Sequence, residues 1–316
     1  MKPVSGSTSD GRRATAVFVD ANETMADEMT SLLASEALDV RINRNPDITT
    51  ANLPGLLSDA SVAIIDHTAL PTETARQCAR LKDVVFLGTG ARSYMNPEEL
   101  ARAGIAVHTI KGYGDTAVAE CAFGLMWTAA RDFGVMDRNI RAGRWLRCNA
   151  VQLTGKTLGL VGFGGIAAEL ARLAKGAGMT VIAWNRSPKT FAGVEFLDLE
   201  SVLRTSDVVS LHLLLADETR GIISRERLSL LKPDAILVNT ARGALVDEDA
   251  MVEALKTGRL RHAALDVFTT EPLPAGHPLT GLPNVTLSAH SAFRTAEANR
   301  NLLSAALAHC RRLTAG

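Results

Sequence analysis

The stretch Thr157-Leu-Gly-Leu-Val-Gly-Phe-Gly-Gly-Ile-Ala-Ala-Glu-Leu-Ala171 joins a short apolar run, a glycine-rich turn and the start of a helical pattern. The apolar run is typical of a buried β-strand, and Ile166, Leu170 and Leu173 then recur on one face of a helix. A helix that begins directly after such a turn presents unpaired N–H groups and a partial positive charge. The stretch therefore predicts a strand–turn–helix unit that can hold the phosphates of a dinucleotide.

The glycines of this turn have separate predicted roles. Gly162 allows the tight turn, and Gly164, with Gly165 directly after it, lets the backbone approach the phosphates, while Ala167 is small enough for the helix to pack on the strand. A glycine motif alone is equally typical of an ordinary turn in an α/β protein. A second strand pattern from Thr180 to Trp184 closes a βαβ unit, and this context favours dinucleotide binding.

Composition excludes several classes of protein. The chain has 316 residues with 47% hydrophobic content, which is enough for two domains with sizeable cores. Its formal net charge of zero argues against nucleic-acid binding, and no apolar run is long enough to span a membrane. The four cysteines are widely spaced without a C-x-x-C pair, so we expect reduced thiols in a cytoplasmic protein, and no metal site is predicted. The polar segment Met1–Ala14 has no apolar core of a signal peptide, and we expect a flexible tail there.

Strand and helix patterns alternate along the chain. Strands are predicted at Ala14–Asp20, Ser61–Asp66, Val84–Leu87, Ile105–Ile110, Thr157–Val161, Thr180–Trp184, Val208–Leu213, Ala235–Asn239, Ala263–Val267 and Val285–Leu287. Helices are predicted from after Asp20 to Ala34, at Pro71–Leu81 and Pro97–Ala103, from Asp115 to Trp127 or beyond, and at Thr295–Leu313. This alternation predicts open parallel sheets with helices on both faces.

Three polar residues follow predicted strands. Arg242 comes after the strand that ends at Asn239, Glu271 follows the Ala263–Val267 strand, and His290 follows the last strand. Each residue alone could be an ordinary solvated or hydrogen-bonded side chain. Because ligands bind outside the carboxyl ends of parallel strands, three such residues on one edge together predict an active site.

At these residues the chain resembles the D-isomer-specific 2-hydroxyacid dehydrogenases from about Ala14 to Arg312. No single motif is decisive, but their order is specific to that family. The motifs are Tyr113-Gly-Asp-Thr-Ala-Val-Ala-Glu120, Gly155-Lys-Thr-Leu-Gly-Leu-Val-Gly-Phe-Gly164, Leu237-Val-Asn-Thr-Ala-Arg-Gly-Ala-Leu-Val-Asp247, Leu265-Asp-Val-Phe-Thr-Thr-Glu-Pro272 and Ala289-His290.

The resemblance implies two Rossmann-like, doubly wound parallel-sheet domains with an active-site cleft between them. Residues 1–110, completed by 292–316, would form the substrate-binding domain, and residues 111–291 the NAD(P)-binding domain. Family members are commonly homodimers packed through their cofactor domains, and here the segment Arg131–Trp145 would lie at that interface.

The resemblance also implies a reaction between a 2-oxo acid and a 2-hydroxy acid. Arg242 would hold the substrate carboxylate, His290 would donate or accept the proton, and Glu271 would fix the tautomer of the imidazole. Related formate dehydrogenases carry glutamine in place of this glutamate, so Glu271 favours hydroxy-acid chemistry. Further substrate-binding positions are Thr89 and Gly90, through their backbone N–H groups, and Tyr113. The positions implied for NAD(P) are Gly162, Gly164, Gly165, Ile166, Asn185, Arg186, Ser187, His212, Thr240 and Asp266, the last through the nicotinamide carboxamide.

The end of the second strand of the cofactor unit bears on the choice between NAD and NADP. NAD-specific units place an acidic residue there, but this chain has Asn185, with Arg186 and Ser187 next. A guanidinium can pair with a 2′-phosphate in a bidentate manner, so the turn favours NADPH over NADH. The alternative is that Arg186 is solvated and either cofactor is accepted.

Two departures from the family pattern leave the substrate open. The loop from Gly88 to Asn96 lacks the usual Asp-Asn-Ile-Asp run, and Leu214 replaces a common proline beside the adenine pocket. Glyoxylate, hydroxypyruvate, pyruvate and bulkier 2-oxo acids are all compatible with the motifs, and Arg92 could meet a second anionic group. A dinucleotide-sensing, corepressor-like binding protein is the rival from another class. A regulated phosphoglycerate dehydrogenase is disfavoured because no regulatory domain follows Thr314.

Overall fold

The computed structural model describes residues 16–36, 38–45 and 48–314. These residues divide into two compact units. The first unit contains the residues up to Tyr113 together with those from Ala296 onward, and the second unit is Gly114–Thr295. The predicted tail Met1–Ala14 lies outside the described residues. Within the described parts, none of the helices combines the length and the apolar character needed to cross a membrane.

The first unit is built on a five-stranded parallel sheet in the order β2-β1-β3-β4-β5. Its strands are β1 Ala16–Phe18, β2 Val40–Ile42, β3 Val62–Ile65, β4 Asp83–Phe86 and β5 Ala106–Thr109. Its helices are α1 Glu23–Leu33, α2 Leu53–Leu56, α3 Thr72–Arg76, α4 Pro97–Arg102 and, at the other end of the chain, α12 Ala296–Thr314. Two separate apolar clusters cover the two faces of the sheet, as a doubly wound fold requires.

The second unit has a seven-stranded parallel sheet in the order β12-β11-β10-β9-β6-β7-β8. Its strands are β6 Thr157–Val161, β7 Thr180–Trp184, β8 Glu195–Phe196, β9 Val208–Leu211, β10 Ile236–Asn239, β11 His262–Leu265 and β12 Val285–Leu287. Its helices are α5 Asp115–Ala130, α6 Phe133–Arg141, α7 Gly165–Gly176, α8 Leu199–Thr205, α9 Arg225–Leu228, α10 Glu248–Lys256 and α11 Pro278–Gly281.

The alternation of side chains along β6 explains why this sheet is buried on both faces. Leu158 and Leu160 enter the cluster that includes α5 and α7, whereas Val161 enters the cluster on the other face with α8 and α10. A strand that is buried on both faces needs a continuous apolar run, which is the pattern seen in the sequence. The two parallel-sheet α/β domains predicted from the sequence are therefore confirmed.

The two strands of the predicted cofactor unit have the bounds expected from the sequence, and most other bounds differ by one to three residues. The helix predicted over Pro71–Leu81 is wrong in length, because α3 ends at Arg76 and the chain continues in successive three-residue turns to Leu81. The edge strand β8 escaped prediction because it has only two residues, and β2 escaped because the exposed Arg41 interrupts its short apolar run. Ala14 and Thr15 of the first predicted strand are outside the described residues.

Candidate active site

The glycine turn after β6 has the geometry that an approaching phosphate needs. Gly162 has φ +90°, and an added Cβ would lie 2.7 Å from the His212 carbonyl oxygen, so only glycine fits there. An added Cβ at Gly164 would meet nothing within 4 Å, which leaves space above the turn. Within the described residues, the backbone N–H groups of Gly164, Gly165 and Ile166 have no acceptor. The start of α7 therefore offers a set of free donors for an anion.

Gly165 has a second reason for being glycine. The carboxylate of Asp115, in the first turn of α5, occupies the place that a Cβ added at Gly165 would take. Burial raises the pKa of Asp115, and the nearby Glu169 carboxylate acts in the same direction. The pair α5 and α7 thus packs closely at the N-terminal end of α7, and the motif alone did not reveal this contact.

The end of β7 is tied to the glycine turn by Asn185. Its Oδ1 accepts a hydrogen bond from the Phe163 N–H at 3.1 Å, and its Nδ2 donates to the Ser187 carbonyl at 2.8 Å. The Lys189 ammonium donates to the Phe163 carbonyl at 2.6 Å. Arg186 is exposed and makes no hydrogen bond or ion pair with any described residue. A second cation, Lys189, which the sequence reasoning overlooked, therefore stands beside the turn with Arg186.

Two further predicted cofactor residues follow β9, which lies next to β6, and β10, which lies next to β9. Burial lowers the pKa of His212 to about 4, so its imidazole is neutral at physiological pH, and its Nε2 lies 2.9 Å from the Ser210 hydroxyl. The Thr240 hydroxyl, after β10, is buried and has no hydrogen-bond partner among the described residues. Because buried hydroxyl groups are normally hydrogen-bonded, we expect the Thr240 hydroxyl to bond a ligand. Together with the open space at Gly164, these residues fit a bound dinucleotide.

Arg242 is presented by a turn that Asn239 organises. Asn239 is 1% exposed; its Oδ1 accepts from the Ala241 N–H at 3.0 Å and its Nδ2 donates to the Arg242 carbonyl at 2.9 Å. The Arg242 side chain is exposed, and its only hydrogen bond within the described parts of the chain goes to the Ala241 carbonyl at 2.6 Å. Since no described carboxylate neutralises this guanidinium, it is available to an anionic ligand.

His290 and Glu271 form a direct pair. Nδ1 of His290 lies 2.6 Å from Oε2 of Glu271, and Oε1 of Glu271 accepts the Phe268 N–H at 2.8 Å. The two side chains are 38% and 33% exposed, so a ligand can reach them. Because Nδ1 faces a carboxylate, it carries a proton in the pair, and Nε2 is left for exchange with a ligand. This is the geometry of a general acid with an orienting partner.

The turn that carries His290 is fixed by Asp266. Its buried carboxylate accepts hydrogen bonds from the Ser288 hydroxyl at 2.6 Å, the Ser291 N–H at 3.0 Å and the Ala292 N–H at 2.9 Å. His290 has φ +46°, an uncommon conformation for a residue with a side chain, and its N–H donates to the Asp266 carbonyl at 2.8 Å. Since the Asp266 side chain is 0% exposed, its predicted contact with the nicotinamide stays a prediction, while its role in shaping this turn is visible.

Gly243 brings the Arg242 turn against the Glu271 segment. An added Cβ at Gly243 would collide with the backbone atoms of Phe268 and Thr269. The parent strands β10, β11 and β12 are neighbours in the sheet, so their carboxyl ends share one edge. Arg242, Glu271 and His290 are therefore assembled on one edge of the second unit through direct backbone and side-chain contacts.

The predicted substrate residues of the first unit also come together. After β4, the backbone N–H groups of Thr89 and Gly90 have no acceptor among the described residues. A Cβ added at Gly88 would lie 3.8 Å from the Tyr113 hydroxyl, so Tyr113 is close to this segment. Arg92 is paired with Glu98 by two hydrogen bonds, one of them at 2.9 Å, so it is not a free cation for a second anionic group.

The supporting residues Asn239, Gly243, Ser288 and Lys189 were missed by sequence reasoning. Their types do carry a signal, because asparagine and serine shape turns through side-chain hydrogen bonds. The signal becomes specific only when the partners in the neighbouring loops are known. The sequence therefore pointed to the side chains that face a ligand rather than to those that hold them in place.

Comparison with known proteins shows which proteins this chain is similar to. Residues 123–292 match the model of the NAD-binding domain of D-isomer specific 2-hydroxyacid dehydrogenases. A glyoxylate reductase from Aeropyrum pernix is 40% identical over 259 residues, which cover 77% of this chain and 77% of that protein. A hydroxypyruvate reductase from Thermotoga maritima is 34% identical over 292 residues, covering 90% of this chain and 94% of that protein. A solved structure of an acyclic imino acid reductase in complex with NADPH and D-Arg has a TM-score of 0.81 at 28% identity, covering 95% of this chain and 97% of that chain.

The seven-stranded sheet, the open glycine turn and this match define an α/β enzyme that binds a nicotinamide dinucleotide. The chain belongs to the D-isomer specific 2-hydroxyacid dehydrogenase family, whose members named here are oxidoreductases that act on CH–OH groups.

Proposed function

We propose that this enzyme reduces small 2-oxo acids to D-2-hydroxy acids, and catalyses the reverse oxidation, with His290 as the general acid and base. The observation that carries the proposal is the 2.6 Å contact between His290 Nδ1 and Glu271 Oε2 on the same sheet edge as the unpaired Arg242. An anion-binding guanidinium beside a carboxylate-oriented imidazole is what a 2-oxo acid requires.

The residues divide the reaction between them. A nicotinamide dinucleotide held at the glycine turn would supply the hydride that the carbonyl carbon of the substrate accepts. Arg242 holds the substrate carboxylate and polarises the adjacent carbonyl group. His290 transfers the proton on Nε2 to the carbonyl oxygen, which becomes the hydroxyl of the product. Glu271 stabilises the positive charge of the imidazolium before this transfer and keeps the Nδ1 proton in place. In oxidation, His290 takes the hydroxyl proton back.

For substrate binding we propose the segment after β4. The N–H groups of Thr89 and Gly90 have no described acceptor and would donate to the substrate carboxylate, with the Tyr113 hydroxyl beside them. In this proposal the first unit is the substrate-binding domain, 1–110 with 292–316, and residues 111–291 bind the cofactor. Similarity to a glyoxylate reductase and a hydroxypyruvate reductase supports glyoxylate and hydroxypyruvate as substrates.

For the cofactor we propose NADP(H) in preference to NAD(H). The segment after β7 carries two cations, Arg186 and Lys189, and Asn185 stands where NAD-specific units have a carboxylate. Arg186 and Ser187 would bind a 2′-phosphate, and Lys189 adds positive charge near the same turn. The structure of a relative with bound NADPH is consistent with this choice.

We also propose a homodimer in the cytoplasm. Helix α6 and the segment after it expose large apolar side chains: Phe133 51%, Ile140 54%, Trp145 79% and Leu146 44%. An exposed apolar patch of this kind is typical of an interface. Light scattering should give twice the chain mass for the wild type and a lower mass for Trp145→Asp. The matched control is Leu214→Asp, since Leu214 is also 79% exposed.

The rival function is a dinucleotide sensor without significant turnover. One experiment separates the two: oxidation of NADPH and of NADH is followed with glyoxylate, hydroxypyruvate and pyruvate. We expect turnover with the first two acids and a higher kcat/KM with NADPH. Tight cofactor binding without turnover for any 2-oxo acid would support the sensor and refute the enzyme.

A further inference from the structure

A buried aspartate holds the turn after β3 in the first unit. Asp20 lies two residues beyond β1, and its side chain is 1% exposed. Its carboxylate accepts hydrogen bonds from the N–H groups of Asp66, His67 and Thr68 at 2.9, 2.8 and 2.7 Å. Burying a carboxylate is costly unless it is fully hydrogen-bonded, as it is here. The three bonds leave this turn little freedom to change its backbone conformation.

The turn presents His67 to solvent. The His67 side chain is 57% exposed, and its Nδ1 lies 3.3 Å from Asp66 Oδ2 and 3.6 Å from Asp20 Oδ2. The hydrogen bond to Asp66 raises the pKa of His67, although partial burial opposes the shift. Nε2 has no hydrogen-bond partner in residues 16–36, 38–45 and 48–314. This nitrogen therefore remains free for a ligand, as an acceptor when the imidazole is neutral with its proton on Nδ1 and as a donor when the imidazole is protonated.

The same arrangement holds the catalytic histidine in the second unit. There the buried Asp266 accepts three hydrogen bonds from the turn that carries His290, and Nδ1 of His290 faces Glu271. In each unit a buried aspartate beyond a strand fixes a turn, and the turn presents a histidine whose Nδ1 is engaged by a carboxylate. The backbone and Nδ1 of His67 are therefore fixed as they are in His290, and Nε2 is left to contact a ligand.

His67 stands beside the segment proposed to bind the substrate carboxylate. Strands β3 and β4 pair in parallel, with Ile65 opposite Phe86, and the Leu87 N–H donates to the Ile65 carbonyl at 2.8 Å. The residues that follow the two strands, His67 on one side and Gly88 to Gly90 on the other, thus leave the sheet next to each other. If the N–H groups of Thr89 and Gly90 hold the substrate carboxylate, the other carbon atoms of the substrate would lie beside the turn that carries His67.

The local charge indicates which group His67 can accept. Even with a protonated imidazole, the set of Asp20, Asp66 and His67 carries a net negative charge. A second carboxylate or a phosphate on the substrate would be repelled, and Arg92, in the adjoining loop, is already paired with Glu98. A neutral hydroxyl group can accept a hydrogen bond from Nε2 or donate one to it, without this repulsion.

We propose that His67 is a substrate-binding residue whose Nε2 forms a hydrogen bond with a hydroxyl on C3 of the 2-oxo acid. This inference rests on the proposed function and narrows its substrate class to 3-hydroxy-2-oxo acids such as hydroxypyruvate.

The test compares two acids that differ only in that hydroxyl, hydroxypyruvate and pyruvate. In His67→Ala the ratio of their kcat/KM values should fall about 10-fold, the typical effect of one lost hydrogen bond to a bound polar group. His67→Gln, which retains a donor at similar reach, should recover most of the ratio. His309→Ala is the matched control, since His309 belongs to the same unit but lies on α12 against His108.

An unchanged ratio in His67→Ala, or equal losses for both acids, would overturn the inference. Thermal unfolding of each variant checks that the turn remains folded, and His67→Gln gives a second measurement if His67→Ala is unstable. A wild type that reduces no 2-oxo acid, glyoxylate included, would refute the proposed function, and this inference with it. A wild type that reduces glyoxylate but not hydroxypyruvate would refute this inference alone. A wild type that reduces both acids, with a ratio that His67 does not affect, would refute this inference alone.

Discussion

Nδ1 of His290 lies 2.6 Å from Oε2 of Glu271, while Oε1 of the same carboxylate accepts the Phe268 N–H. The Glu271 carboxylate therefore orients the imidazole and also stabilises the loop from Phe268 to Glu271 through a hydrogen bond. Because the loop bond uses Oε1, replacing Glu271 with the isosteric glutamine removes the charge and can keep the loop bond. The effect of the Glu271 charge on His290 can therefore be measured separately from its effect on the loop.

We expect Glu271→Gln to change the pH profile of 2-oxo acid reduction. Without the carboxylate the protonated imidazole loses its stabilising charge, so the activity should decline at a lower pH than in the wild type. The measurement is kcat/KM against pH in the reductive direction. Glu248→Gln is the matched control, because Glu248 is also a glutamate beside a histidine, 3.2 Å from His277 in the same unit. If the pH profile of Glu271→Gln equals that of the wild type, the Glu271 carboxylate does not affect the proton transfer.

Gly243→Ala should damage both stability and turnover. The added methyl group would collide with the backbone of Phe268 and Thr269, and it would push the Arg242 turn away from the Glu271 segment. Overpacking of this kind costs about 1–3 kcal/mol of unfolding free energy. Urea unfolding and kcat would both be measured. Gly176→Ala, where a Cβ meets nothing within 4 Å, should lose neither; equal behaviour of the two variants would contradict the assembly described.

Arg186→Ala should lower kcat/KM for NADPH about 10- to 100-fold, because a charge-assisted bidentate pair to the 2′-phosphate is lost. The value for NADH should change much less. Arg204→Ala is the control, since Arg204 is an exposed arginine in the last turn of α8. A wild-type preference for NADH, or unchanged NADPH efficiency in Arg186→Ala, would show that the turn after β7 does not select the cofactor.

Acidification should destabilise the protein through His262. This histidine is 1% exposed, and burial lowers its pKa to about 4, with Arg261 and Arg138 acting in the same direction. The unfolded chain, with an ordinary pKa near 6.5, binds the proton more readily. The free energy of unfolding contributed by His262 is therefore complete above pH 6.5 and is lost as the pH falls towards 4.

At pH 5 the loss from this one group is on the order of 2 kcal/mol relative to pH 7. Urea unfolding of the wild type and His262→Gln at both pH values measures it, because glutamine does not titrate. The difference between the two pH values should be smaller in the variant. An equal pH dependence in both proteins would contradict a neutral buried His262.

The sequence predicted the parts of this protein that depend on local pattern. The bounds of β6 and β7 followed from apolar runs and flanking glycines, because such strands must be continuous to be buried on both faces. Arg242, Glu271 and His290 were singled out because each follows a strand, and parallel strands end at a common edge.

What escaped prediction depends on contacts between distant segments. Lys189 beside Phe163, Asp115 over Gly165 and Asp20 beneath His67 are each set by how neighbouring loops pack. Short edge strands such as β8 have too few residues for a periodic signal. The end of α3 at Arg76 was missed because the apolar pattern continues into turns that also bury Cys78 and Leu81.

The central claim is that His290 supplies the proton, and turnover of a His290 variant tests it most directly. Asparagine is the suitable replacement because it tolerates the φ of +46° at this position. The measurement is kcat for glyoxylate reduction with NADPH, accompanied by the Kd of NADPH from fluorescence titration. The account predicts that His290→Asn lowers kcat about 100-fold or more while the Kd is unchanged, whereas Arg242→Ala weakens substrate binding and rate together. A kcat of His290→Asn equal to that of the wild type would contradict the account.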